Sequence, residues 1–169
     1  MYLSSPADRE RWPAPFVRYA TDTDAIAQEL GTTVSYLHCP IPDLSIPRDG
    51  LGKGASLLIL LDAMITHYAD GGGGIYVHCW GGRGRAGLVG ACLLALLQPQ
   101  LDAEAVLERV QTGYDTRAGA GQMRGPLKRS PQMESQRQFV RSFVRAARAA
   151  RRLDNDVEMV SQGMPRGFL

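Results

Sequence analysis

The residues with the clearest chemical potential fall in one stretch, Val77-His-Cys-Trp-Gly-Gly-Arg-Gly-Arg-Ala-Gly87. Five residues separate Cys79 from Arg85, the spacing C-x5-R, and Gly81, Gly82 and Gly84 are three of them. Glycines allow the backbone N–H groups of such a loop to turn inward. A helix opening at its end adds a positive pole, so the whole makes a cradle for an anion. Phosphate fits that cradle. The planar fork of Arg85 suits two phosphate oxygens, and both the guanidinium and the helix N-terminus favour thiolate over thiol at Cys79. A thiolate at the floor of a phosphate cradle is placed to attack phosphorus.

The surrounding elements must hold this loop. Ile75-Tyr-Val-His78 reads as a short strand, Cys79–Gly84 as a Gly-rich turn and Ala86–Leu97 as an apolar helix. Upstream, Thr21–Asp24 offers N-caps for a helix near 23–30 that stops at Gly31. Thr32–Leu37 is β-branched and aromatic and reads as a strand. It runs into Pro40, Pro42 and Pro47, which require a loop. Between Gly54 and Tyr68 the residues Leu57, Leu58, Leu60, Leu61, Met64, Ile65 and Tyr68 recur at helical spacing, and Gly71–Gly74 ends the pattern.

Downstream, Asp102–Val110 reads as a helix opened by Asp102, and residues 113–130 as a loop. The last helix spans Gln132 to about Arg152, with Phe139, Val140, Phe143, Val144 and Ala147 inward. Strands alternating with helices predict an α/β fold. It would be one domain with a central, largely parallel sheet flanked by helices, and the phosphate loop between a strand and a helix. The domain is assigned to residues 1–153, and 154–169 are read as a flexible tail.

Composition agrees with a globular chain and excludes several partners. Of 169 residues, 44% are hydrophobic and 21% charged, unlike a disordered chain. With 19 Lys and Arg against 17 Asp and Glu, the net charge of +2 sets up no field that demands nucleic acid or a membrane surface. The longest apolar runs, Leu57–Ile65 and Leu88–Leu97, are too short to span a bilayer, so no membrane insertion is expected. The N-terminus shows no secretion signal, which makes the cytoplasm the expected location. Three cysteines without C-x-x-C spacing argue against a disulfide framework and against structural zinc, and no metal or cofactor is expected.

The stretch around Cys79 resembles the signature of the cysteine-dependent protein tyrosine phosphatases, H-C-x5-R followed by Ser or Thr, through His78, Cys79 and Arg85. His38-Cys-Pro-Ile-Pro-Asp43-Leu-Ser-Ile-Pro47 looks like the general-acid loop of the dual-specificity branch. It is most similar to that of the kinase-associated phosphatase group, as is Cys79-Trp-Gly-Gly. Ser130–Val140 resembles the segment in which these enzymes carry a glutamine ahead of the final helix, so the likeness covers roughly residues 32–145.

The resemblance implies that Cys79 is the nucleophile, Arg85 the phosphate clamp and Asp43 the acid that protonates the leaving oxygen. Trp80, Gly81, Gly82, Arg83 and Gly84 would line the substrate site. His78 would orient the loop, and Gln136 would assist the water that releases phosphate. No metal takes part. The substrate is then a phosphorylated protein, at tyrosine or at serine and threonine, or a small phosphorylated molecule.

Two features keep other functions open. Arg83 and the basic residues Arg124, Lys128 and Arg129 suit a phosphoinositide or inositol phosphate. Ala86 stands where the family carries Ser or Thr, so no hydroxyl there stabilises the departing thiolate, which suits a phosphate-binding pseudophosphatase with slow turnover. Trp80 is read either as pocket wall or as packing, and Arg83 either as a substrate contact or as a solvent residue. Cys39 is read either as a structural thiol or as a disulfide partner of Cys79, and Cys92 as core.

Overall fold

The structure, a computed structural model, describes residues 19–48, 55–118 and 128–161, without the side chains of residue 55 and of 155–161. Among the described residues the regular elements are five helices: α1 (Ala20–Glu29), α2 (Ala55–Ala69), α3 (Arg85–Leu97), α4 (Ala103–Asp115) and α5 (Glu134–Ser161). The chain divides into two compact units, Met1–Ala86 and Gly87–Leu169.

In the first unit both helices end by the same device. At the end of α1, Gly31 takes a left-handed φ of 64°, its N–H donates to the Gln28 carbonyl and that of Thr32 to Ala27. At the end of α2, Gly71 has φ 73°, its N–H donates to Tyr68 and that of Gly72 to His67. This is the Schellman arrangement, which satisfies last-turn carbonyls and favours glycine because of the left-handed residue. The apolar stripe of α2 is buried at Leu57, Leu60, Leu61 and Met64, alongside Ile41 and Cys39, while Leu58 and Tyr68 face outward.

The second unit is packed helix on helix. In α3, Leu88, Val89, Ala91 and Cys92 are wholly buried, and burial pushes the Cys92 thiol far above its ordinary pKa, as fits a core residue. Helix α4 opens as its sequence predicts, with the Asp102 carboxylate accepting from the Ala105 N–H at 2.8 Å, and buries Val106, Leu107 and Tyr114. Helix α5 packs against α4 and buries Val140 and Val144. Phe139 and Phe143 stack beside them on α5 with ring centroids 6.5 Å apart. The helix continues to Ser161, into the stretch read from sequence as tail. Residues 162–169 of that stretch lie outside the described residues.

The expected central, largely parallel sheet is not there. Among the described residues no strand forms. Thr32–Leu37 and Ile75–Val77 have no ladder, and only single bridge residues occur, at His38 and His78. The physical reason lies in burial. A central parallel strand must cover both faces, yet Val34, Tyr36 and Leu37 are exposed and Tyr76 is 78% exposed. The β-branched and aromatic composition of these runs favours extended backbone, but the preference acts only where neighbouring strands and a core receive the side chains.

Candidate active site

The turn that carries Asp43 is built by its own sequence. The Ser45 N–H donates to the Pro42 carbonyl at 3.2 Å, closing a turn over Pro42-Asp43-Leu44-Ser45. Leu44 has φ 57°, the one non-glycine residue with positive φ among those described. Just before it, Ile41 is fully buried, so this loop is anchored from one side.

Arg85 meets that loop. It is the first residue of α3 and only 3% exposed. Its Nη1 donates to the Ile41 carbonyl at 3.2 Å, and its Nη2 lies 3.2 Å from Asp43 Oδ1. Two residues 42 positions apart in sequence, singled out as phosphate clamp and proton donor, are thus in direct contact. A guanidinium kept from water needs partners for its N–H groups, and the carbonyl and the carboxylate supply two.

Between Cys79 and Arg85 the backbone turns at Gly82, where φ is 64° and a side chain would be strained. Gly84 is buried directly ahead of the helix, Gly81 is exposed and Arg83 half-buried. Trp80 is largely exposed. Cys79 is half-buried, Cys39 and Cys92 are buried, and none of the three forms a disulfide.

His78 has a partner that the sequence does not disclose. Its Nε2 lies 2.5 Å from the Tyr19 hydroxyl, and its Nδ1 lies 3.3 Å from the Cys79 carbonyl oxygen. Tyr19 also meets the ring edge-on with centroids 5.4 Å apart, and Tyr76 stacks on it at 5.5 Å. Burial holds the imidazole below its usual pKa, against the opposing pull of the hydrogen bond to Cys79. No spacing or motif marks Tyr19, which is 59 residues away in the chain.

Gln136 belongs to the second unit. It is wholly buried, and its Oε1 accepts from the Met133 N–H at 3.1 Å. With α5 beginning at Glu134, that is the return half of a capping box, in which the third helical residue reaches back to the N-cap. Lys128 and Arg129 are exposed, and Arg124 lies outside the described residues. Among the described residues no group of three or more His, Cys, Asp or Glu side chains is arranged to hold a metal ion. No described helix is long and apolar enough to cross a membrane.

A buried arginine at a helix N-terminus, a glycine loop ending in that arginine and a cysteine opening the loop define a phosphate-handling class of protein. The sequence matches, over residues 18–140, the family model PTP-SAK, described as "Swiss Army Knife protein, DSP-PTPase phosphatase domain". The chain belongs to this family, within the dual-specificity branch of the cysteine-dependent protein tyrosine phosphatases. No curated protein and no solved structure matches it.

Proposed function

We propose that the protein hydrolyses phosphomonoesters through a phosphocysteine intermediate, with phosphorylated side chains of proteins as substrates. The observation that carries this reading is the contact of Asp43 Oδ1 with Arg85 Nη2 at 3.2 Å. It sets the one carboxyl group of the acid loop beside the group that suits phosphate.

In this mechanism the Cys79 Sγ attacks phosphorus while Arg85 and the loop N–H groups hold the equatorial oxygens. The bond from phosphorus to the ester oxygen breaks, and Asp43 in its protonated form gives its proton to the departing oxygen. Water then attacks the phosphocysteine and gives up a proton to the Asp43 carboxylate. Inorganic phosphate and the Cys79 thiolate are released. The loop amides and the guanidinium stabilise charge on the transferring group without rearranging during the reaction.

The test is hydrolysis of an aryl phosphate by the purified protein in the presence of a chelator. Activity that persists in chelator, disappears in Cys79→Ser and leaves phosphate binding in the variant supports the reading. Undiminished turnover by Cys79→Ser overturns it.

A second reading, a polyphosphorylated small molecule as substrate, rests on Arg83, a half-buried cation within the loop itself. A panel of phosphopeptides and inositol phosphates separates the two, since a second phosphate contact raises kcat/KM only for the polyphosphorylated members.

A further inference from the structure

We propose that Tyr19 is a positioning residue for the Cys79 loop: its hydroxyl donates to His78 Nε2 and thereby commits the ring proton to Nδ1, where it holds the Cys79 carbonyl. The proposal rests on the reading of Cys79 as nucleophile.

The direction of both hydrogen bonds follows from donor and acceptor capacity. A carbonyl oxygen can only accept, so the 3.3 Å contact with Cys79 requires the proton on Nδ1. A neutral imidazole with its proton there has an acceptor at Nε2. The Tyr19 hydroxyl, 2.5 Å away, is then the donor. This hydroxyl, the stacked Tyr76 ring and Cys79 itself all meet the ring. Burial acts against the charged form of the ring.

Tyr19 is itself held. It caps α1, and its carbonyl accepts from the Thr23 N–H at 2.9 Å and from the Thr23 hydroxyl at 2.7 Å. Beside it, the single Tyr36 hydroxyl proton is shared between Asp24 Oδ1 at 2.8 Å and the Ala20 carbonyl at 3.1 Å. The phenol therefore projects from a helix end secured by bonds independent of the site. The Cys79 carbonyl fixes the peptide plane at the entrance of the loop, so the imidazole acts on where Sγ points. Phosphate itself would be held by Arg85 and the loop amides, whereas the Tyr19 hydroxyl acts on the imidazole. Its loss should accordingly fall on kcat rather than on KM.

The experiment uses the full chain. Tyr19→Phe keeps the ring and removes only the hydroxyl. On an aryl phosphate, kcat should fall about two- to tenfold, the range of one neutral hydrogen bond, with KM nearly unchanged. Imidazole nitrogen spectra of the wild-type protein should show His78 protonated at Nδ1, and Tyr19→Phe should shift it toward the Nε2 form. In a His78→Asn background, Tyr19→Phe should cause no further loss, because its effect passes through the imidazole. Three results overturn the proposal: wild-type His78 protonated at Nε2, additive losses in the double variant, or unchanged kcat in Tyr19→Phe when Cys79→Ser abolishes turnover. Turnover by Cys79→Ser would instead defeat the nucleophile assignment, and the tautomer measurement would still decide the role of the hydroxyl.

Discussion

Arg85 in the first unit and Arg141 in the second both grip carboxylates, and the resemblance ends there. Arg141 has the shorter contacts, 2.7 Å to Glu104 and 2.8 Å to Glu134, and it joins α4 to α5. Its partners are open to water, so solvent and salt screen most of the attraction. Arg85 has a longer contact, 3.2 Å to Asp43, but its side chain is only 4% exposed and its second hydrogen bond goes to a backbone carbonyl. The shorter pair belongs to the frame and the longer one to the candidate chemistry. Contact distance alone does not identify a functional ion pair. Burial, and what else could take the place of the carboxylate, does.

Substitutions can break or sharpen that contrast. The largest effect is expected from Asp43→Asn, which keeps the shape but removes the transferable proton. Turnover should fall roughly 10²–10⁴-fold for esters with weakly acidic leaving groups and much less for activated ones. A leaving-group series measures this, and an equal loss across the series would strip Asp43 of the acid role. Arg85→Lys follows. It keeps the charge and loses the planar fork, and should lower kcat/KM about 10²–10³-fold, the effect of removing one preorganised donor. Full activity with lysine would reduce the contact with Asp43 to a structural pair.

Gln136→Ala should act on folding first. Losing the acceptor for the Met133 N–H in a buried setting should destabilise the protein by about 1–3 kcal/mol in denaturant titrations. If Gln136 only caps α5, kcat stays unchanged below the unfolding transition. A role with the hydrolytic water would appear instead as slower breakdown of the phosphoenzyme.

Arg141→Ala should have the smallest effect, a slight fall in Tm that high salt erases. The pH dependence of that fall has a definite sign. Arg141 holds the Glu104 and Glu134 carboxyls below their ordinary range through direct hydrogen bonds. A depressed folded pKa contributes stability above the unfolded value and loses it as pH falls through the folded one. The gap in Tm between wild type and variant should therefore close under acid. Melting curves at neutral and acidic pH check it.

Local signals in the sequence were reliable where the structure they specify is local. Gly31 and Asp102 mark helix ends because a left-handed residue and a capping oxygen act within a few positions. Leu57, Leu61 and Met64 show the buried face of α2 because helical spacing brings them together whatever lies beyond. Motifs alone single out Cys79, Arg85 and Asp43, and the contact of Arg85 with Asp43 is what the folded chain adds to them. The sheet was misread because a strand needs partners that no local run can specify, and Thr32–Leu37 has none among the described residues. Tyr19 was invisible for a similar reason, since only the folded chain brings it to His78. The continuation of α5 past Arg152 was missed although Leu153, Val157 and Val160 recur there at helical spacing.

Leu44 bears on how this site can change. A leucine at φ 57° sits where its Cβ crowds the backbone, at a cost of roughly 1–2 kcal/mol that other contacts must offset. Sequence drift at this position is therefore channelled. Glycine or asparagine would relax the turn, whereas valine or isoleucine would resist it and move the carboxyl group next door. Asp43 is tied to the conformational tolerance of its neighbour, so a change that leaves Asp43 itself intact could still displace it from Arg85.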